Sequence, residues 1–128
     1  GNPVGGAYPT GYSTATHEFA HGLHVNIMSD EDKAIITAAF EARKVSALAA
    51  PTDANQWVDG REGCYASQNE REFFAQLSNA YLGVNTGTDA TTGDPRHNGA
   101  AWVLANEPTV HAVLTTWYGG NTVPNANP

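Results

Sequence analysis

The sequence predicts a mainly α domain, formally α+β, with little or no sheet. Three observations carry that expectation: apolar residues recur at helical spacing in several stretches, caps and glycine stops punctuate them, and alternating strand patterns are weak throughout. The chain is 128 residues long and 41% hydrophobic, enough for one domain with a core of its own, so residues 1–128 are expected to form a single domain.

Each element has its signal. Residues 1–12 are rich in Gly, Pro and Tyr and are expected to run extended. A first helix should begin near Ser13 or Thr14 and carry Phe19, Ala20, Leu23 and Ile27 as its apolar stripe. Ser29 is a suitable N-cap for a second helix, with Asp30, Glu31 and Asp32 in its first turn and Ile35, Ile36, Ala39, Phe40 and Leu48 on its apolar side. Pro51 should end it, and residues 51–66 should be loop. Ser67 and Glu70 have capping-box spacing for a third helix bearing Phe73, Phe74, Leu77 and Tyr81. A long polar loop over 83–99 lacks the acidic spacing of a calcium-binding loop. Two short helices should follow, one near 99–105 and one from about Glu107 to Trp117, closed by Gly119-Gly120. Residues 121–128 read as a loosely held tail.

Charge narrows the functions. The net charge is −7, and the six Lys and Arg residues form no basic cluster, so no nucleic-acid partner is expected. No apolar run approaches the roughly 18 residues of a membrane span. Cys64 is the single cysteine, which excludes an internal disulfide and leaves the compartment open. The chain begins at Gly1 without a signal-like segment, and the expectation is a processed product or a piece of something longer, from a secreted protein.

The chemistry lies in His17-Glu18-Phe19-Ala20-His21. Residues four apart on a helix share a face, about 6 Å apart along the axis, so two imidazoles can converge on one ion. Glu18 points differently and can instead reach a water held there. A catalytic zinc takes three protein ligands and keeps a position for water, which Glu18 would deprotonate as general base. The spacing to position 27 excludes a metzincin, because His24 and Ile27 stand where that class needs Gly and His. Two glutamates could supply the third ligand. Glu41 sits on what reads as a solvated helix face. Glu72, in Asn69-Glu70-Arg71-Glu72-Phe73-Phe74-Ala75-Gln76, adjoins a bulky apolar stripe where a carboxylate needs a partner.

The pair HEFAH and NEREFFAQ resembles the catalytic core of the anthrax lethal factor family, which includes the clostridial Pro-Pro endopeptidases, over roughly residues 13–82. The resemblance implies a zincin-like fold of the gluzincin kind and a zinc endopeptidase acting on peptide or protein substrates. It implies His17, His21 and Glu72 as zinc ligands, Glu18 as catalytic base, and Tyr65, seven residues before Glu72, as a hydroxyl donor to the oxyanion. Two departures accompany it: His24 stands where members often have an acidic residue, and only 16 residues precede His17, where the family has a β-sheet lobe. The missing lobe keeps a zinc-holding pseudopeptidase or interaction domain in view, and a small metal-dependent nuclease-like toxin using the same His-rich face is a second alternative. Among the other candidates, His24 is expected to pack beside the site, and Gln76 either to orient a ligand or to take a capping or surface role. His97 and His111 are expected to be structural or exposed, and Cys64 to be a small buried residue. Trp57, Trp102 and Trp117 are expected to be core or subsite wall.

Overall fold

In the computed structural model, residues 11–119 are described. The order is α1 (Thr14–Gly22), a π-helical turn (Leu23–Ile27), α2 (Asp30–Ala49), a 3-10 turn (Tyr65–Ser67), α3 (Glu70–Tyr81), α4 (Ala100–Asn106) and α5 (Pro108–Tyr118). Among the described residues β structure is limited to isolated bridges, such as Tyr12 with Asn85 and Thr88 with Pro95. The fold is mainly α.

Local chemistry sets most helix ends. Ser13 caps α1 by accepting from the Thr16 amide, and Ser29 caps α2 by accepting from that of Asp32, above the acidic first turn. Helix α2 stops at Ala49, just before Pro51. Pro108 opens α5, where a missing N–H costs nothing, and Gly119 closes it at φ 66°. The expected lead-in lies outside the described residues apart from Gly11 and Tyr12, as do Gly120 and the tail 121–128.

Helix α3 is the centre of the molecule. Every residue from Phe73 to Tyr81 is buried, and α1, α2, α4 and α5 all pack on it. Phe73 and Trp57 meet edge to face at 5.8 Å, with Phe40 completing the aromatic cluster. Arg43 ties α2 to the α4–α5 junction by donating to Glu107 at 2.8 Å and to the Asn106 carbonyl at 3.0 Å.

Three sequence expectations need correction. The cap of α3 is Asn69, whose side chain accepts from the Glu72 amide at 3.0 Å; Ser67 is not the cap. The Ser67 hydroxyl is already engaged in the preceding turn, donating to the Cys64 carbonyl and accepting from the Gly63 amide. Second, Phe19 and Ile27 are 60% and 62% exposed, and Leu48 is 60% exposed. His17 and His24 join Ala20 and Leu23 as the buried positions of this stretch. Third, regular α geometry ends at Gly22. The Met28 amide donates to the Leu23 carbonyl, five residues back, so the last turn is wound wider and its stripe no longer keeps the 3.6-residue register.

The loop from 82 to 99 is non-helical as expected, but it is firmly tied. Asp89 accepts from the Tyr65 amide at 2.9 Å and from the Thr91 and Thr92 amides. Asp94 is bound by the Arg61 guanidinium at 2.9 and 3.1 Å. Gly60 has φ 125°, and a Cβ there would lie 2.5 Å from Asp94 Cβ, so the close approach requires glycine. This loop thereby braces the turn that carries Tyr65.

Candidate metal centre

Helix α1 presents His17 and His21, and α3 presents Glu72 from its first turn. His17 Nε2 lies 2.9 Å from Glu72 Oε1, His21 Nε2 lies 3.1 Å from the same oxygen, and the two Nε2 atoms are 3.0 Å apart. Three donor atoms of metal-ligating type thus form a nearly equilateral triangle. Among the described residues this is the one group of three or more His, Cys, Asp or Glu side chains arranged to hold a metal ion. His17 is buried, while His21 and Glu72 are half-buried, so the triangle lies at the edge of the core with an open side.

The protons on His17 follow from its neighbours. Gln76 Nε2 donates to Asp59 Oδ2 at 2.9 Å, which turns Gln76 Oε1 towards His17 Nδ1 at 2.7 Å. An amide oxygen can only accept, so Nδ1 carries the proton, and in the neutral ring Nε2 is left with its lone pair facing the triangle. Tyr12 donates to the same Gln76 oxygen at 2.8 Å. Asp59 is fully buried and also accepts from the Ala66 amide and Asn85 Nδ2, with Arg96 Nε 3.7 Å away. Burial pushes its pKa up, and the bonds from Gln76 and Asn85 work against that.

Tyr65 stacks on His17, with ring centroids 5.4 Å apart and planes 11° from parallel, and its hydroxyl is 3.3 Å from His17 Nε2. Burial, then Glu72, then the charges of Tyr12 and Glu18 raise its pKa. The phenol therefore keeps its proton at neutral pH and remains a hydrogen-bond donor. Glu18 is exposed beside the triangle, near enough for its charge to be felt at Tyr65.

The other sequence candidates fall outside. Glu41 is exposed on α2. His24 is buried against Phe74, with ring centroids 5.2 Å apart. His97 stacks on Trp102 and bonds the Ala54 carbonyl, and His111 packs on Tyr81; both are structural. Cys64 is fully buried and its thiol is pushed up to about 12. Trp57 is core, and the Trp117 indole donates to Asp32. Gln76 is fully buried, so its surface alternative is corrected. The sequence reading missed Asp59 and Tyr12, which meet Gln76 from 17 and 64 residues away. No local spacing signals either one.

The chain matches no protein-family model, no curated protein and no solved structure.

Proposed function

We propose that this chain is a zinc-dependent endopeptidase of the gluzincin kind, with His17, His21 and Glu72 as ligands. The observation that carries the proposal is the convergence of His17 Nε2, His21 Nε2 and Glu72 Oε1 to within 2.9–3.1 Å of one another, from two different helices. Two donors each about 2.1 Å from an ion, at a tetrahedral angle, stand about 3.4 Å apart, so the triangle is within a few tenths of an ångström of zinc geometry. The donor set also suits the ion: two imidazoles and one carboxylate, with a hydrogen-bonded Gln76 behind the more buried imidazole. A zinc ion bound here would act as a Lewis acid towards a peptide carbonyl and lower the pKa of a coordinated water.

The remaining work falls to the chain's own groups. Glu18, exposed next to His17, takes the proton of the attacking water and returns it to the leaving amine. Tyr65, kept as a neutral phenol, donates its proton in a hydrogen bond to the negative charge growing on the carbonyl oxygen. Gln76 holds His17 in the tautomer whose Nε2 faces outward.

The test combines metal analysis with cleavage. Protein purified without chelator should carry about one zinc per chain, with an anomalous peak at the zinc edge among the three ligands. It should cleave members of a broad peptide library, and the Glu18→Gln variant should keep the metal and cleave none. A zinc-loaded parent that cleaves nothing, with any upstream segment restored, would leave only a zinc-holding interaction domain.

A further inference from the structure

Beside the metal triangle lies a pocket of about 410 Å³, bounded by the π turn after α1, the start of α2 and the first turn of α3. It is lined by His24, Val25, Lys33, Asn69, Glu70 and Arg71. His24 follows His21 by three residues, on the same side of the helix, and its Nε2 stands 4.0 Å from Glu70 Oε2, so the pocket lies about one turn further along the histidine row. Tyr65 stacks over His17, at the other end of the histidine row. Tyr65 and the pocket thus lie at opposite ends of the row His17, His21, His24.

The distribution of cations sets the pocket apart. Of the six Lys and Arg residues, four are in ion pairs: Arg43 with Glu107, Lys44 with Glu62, Arg61 with Asp94 and Arg96 with Asp59. Lys33 and Arg71 have no carboxylate partner among the described residues, and both line this pocket. In a chain of net charge −7, the two cations without a carboxylate partner therefore line one cavity, where the Lys33 ammonium donates to the Val25 carbonyl at 3.3 Å. Glu70, the one carboxylate in the lining, accepts from the Thr37 hydroxyl at 2.8 Å and stands 4.0 Å from His24 Nε2. His24 is only 4% exposed, and its Nδ1 has no hydrogen-bond partner. Burial lowers its pKa, Glu70 opposes that, and Lys33, His21 and Arg71 add to the lowering, which favours the uncharged ring.

We infer that this pocket is a substrate subsite for a carboxylate side chain, so that an Asp or Glu within one or two residues of the scissile bond is held by Lys33 and Arg71. The inference rests on the peptidase reading for the words substrate and scissile. The pocket's affinity for an acidic peptide does not depend on that reading. An extended peptide advances roughly 3.3–3.6 Å per residue, so one or two residues span the single turn between the triangle and the pocket. A guest carboxylate would bring the local charge of Lys33, Arg71 and Glu70 from +1 to neutral, and hydrogen bonds between ionised partners are among the stronger ones available.

The experiment has two arms. In the first, a heptapeptide library with Asp, Glu, Asn or Gln placed in turn at each position is incubated with the metal-loaded protein. Acidic members should be cleaved about tenfold more efficiently than their amides at one position near the cut, and the preference should weaken as salt is raised. The double variant Lys33→Glu, Arg71→Glu should reverse the preference towards Lys or Arg at that position. In the second arm, binding of the same peptides to the metal-loaded Glu18→Gln variant is measured by titration, independently of turnover. Acidic peptides should bind about tenfold more tightly than amide peptides, and the Lys33→Ala, Arg71→Ala variant should lose that difference. Free acetate, run as a control, should bind far more weakly than the peptides. Cleavage without any acidic preference, or equal binding of acid and amide peptides, overturns the subsite and spares the peptidase. Acid-selective binding with no cleavage anywhere overturns the peptidase and spares the pocket.

Discussion

His17 Nδ1 donates to Gln76 Oε1 over 2.7 Å, between residues 59 positions apart in the chain. That single bond decides which ring nitrogen of His17 is available to a metal ion. Gln76 is itself aimed by the buried carboxylate of Asp59, so the tautomer of His17 in the candidate metal centre is governed by a carboxylate that does not touch the ring.

Replacing Gln76 with Met, which is close in shape and has no amide, should leave His17 free to rotate or to place its proton on Nε2. Zinc affinity, measured by competition with a chromophoric chelator, should fall about 10- to 100-fold. The same substitution leaves buried Asp59 one partner short, so stability in denaturant should fall by about 1–3 kcal/mol. Unchanged zinc affinity alongside lowered stability would show that Gln76 supports the core and not the metal.

Removal of the third ligand should separate the two glutamates. Glu72→Ala should abolish tight zinc binding, whereas Glu41→Ala, at an exposed position, should leave it unchanged. Chelation of the parent should lower its melting temperature, because an ion at 1,000 times its dissociation constant stabilises a fold by about 4 kcal/mol. Equal effects of the two substitutions would remove Glu72 from the site.

Holding the metal and using it should come apart in two variants. Glu18→Gln should retain one zinc and lose cleavage. Tyr65→Phe keeps the ring stacked on His17 and loses only the hydroxyl, so kcat should fall by roughly 100- to 1,000-fold with KM little changed. A Tyr65→Phe enzyme of full activity would show that the hydroxyl is not the oxyanion donor.

Cys64 offers a check on the packing behind Tyr65. Burial and the charge of Asp59 push its thiol up to about 12, so at pH 8 it is almost wholly protonated and unreactive. The folded protein should fail to react with a disulfide reagent at pH 8 and should react stoichiometrically once unfolded. Prompt reaction in the native state would mean that the segment 64–67 opens readily.

Some of this was legible in the amino-acid order alone. The helix start near Ser13, the cap at Ser29, the stop before Pro51 and the spacing of His17 and His21 depend on interactions within about four residues, and such short-range energies are written locally. The mainly helical fold followed from the same periodicities. Other features depend on which surfaces meet. Ser67 and Asn69 are both able caps, and the choice fell to Asn69 because the turn at residues 63–67 had already taken the serine hydroxyl. That shift of two residues makes the capped amide Glu72's own. Phe19 and Ile27 fit an apolar stripe on a helical wheel, yet they are exposed because His17 and His24 are turned inward and the last turn is π-wound. The approach of Glu72 to His17 across 55 residues, and of Asp59 and Tyr12 to Gln76, was decided by the packing of α1, α3 and the loop behind them. No local pattern encodes such meetings, because their energy is realised only when the whole core closes.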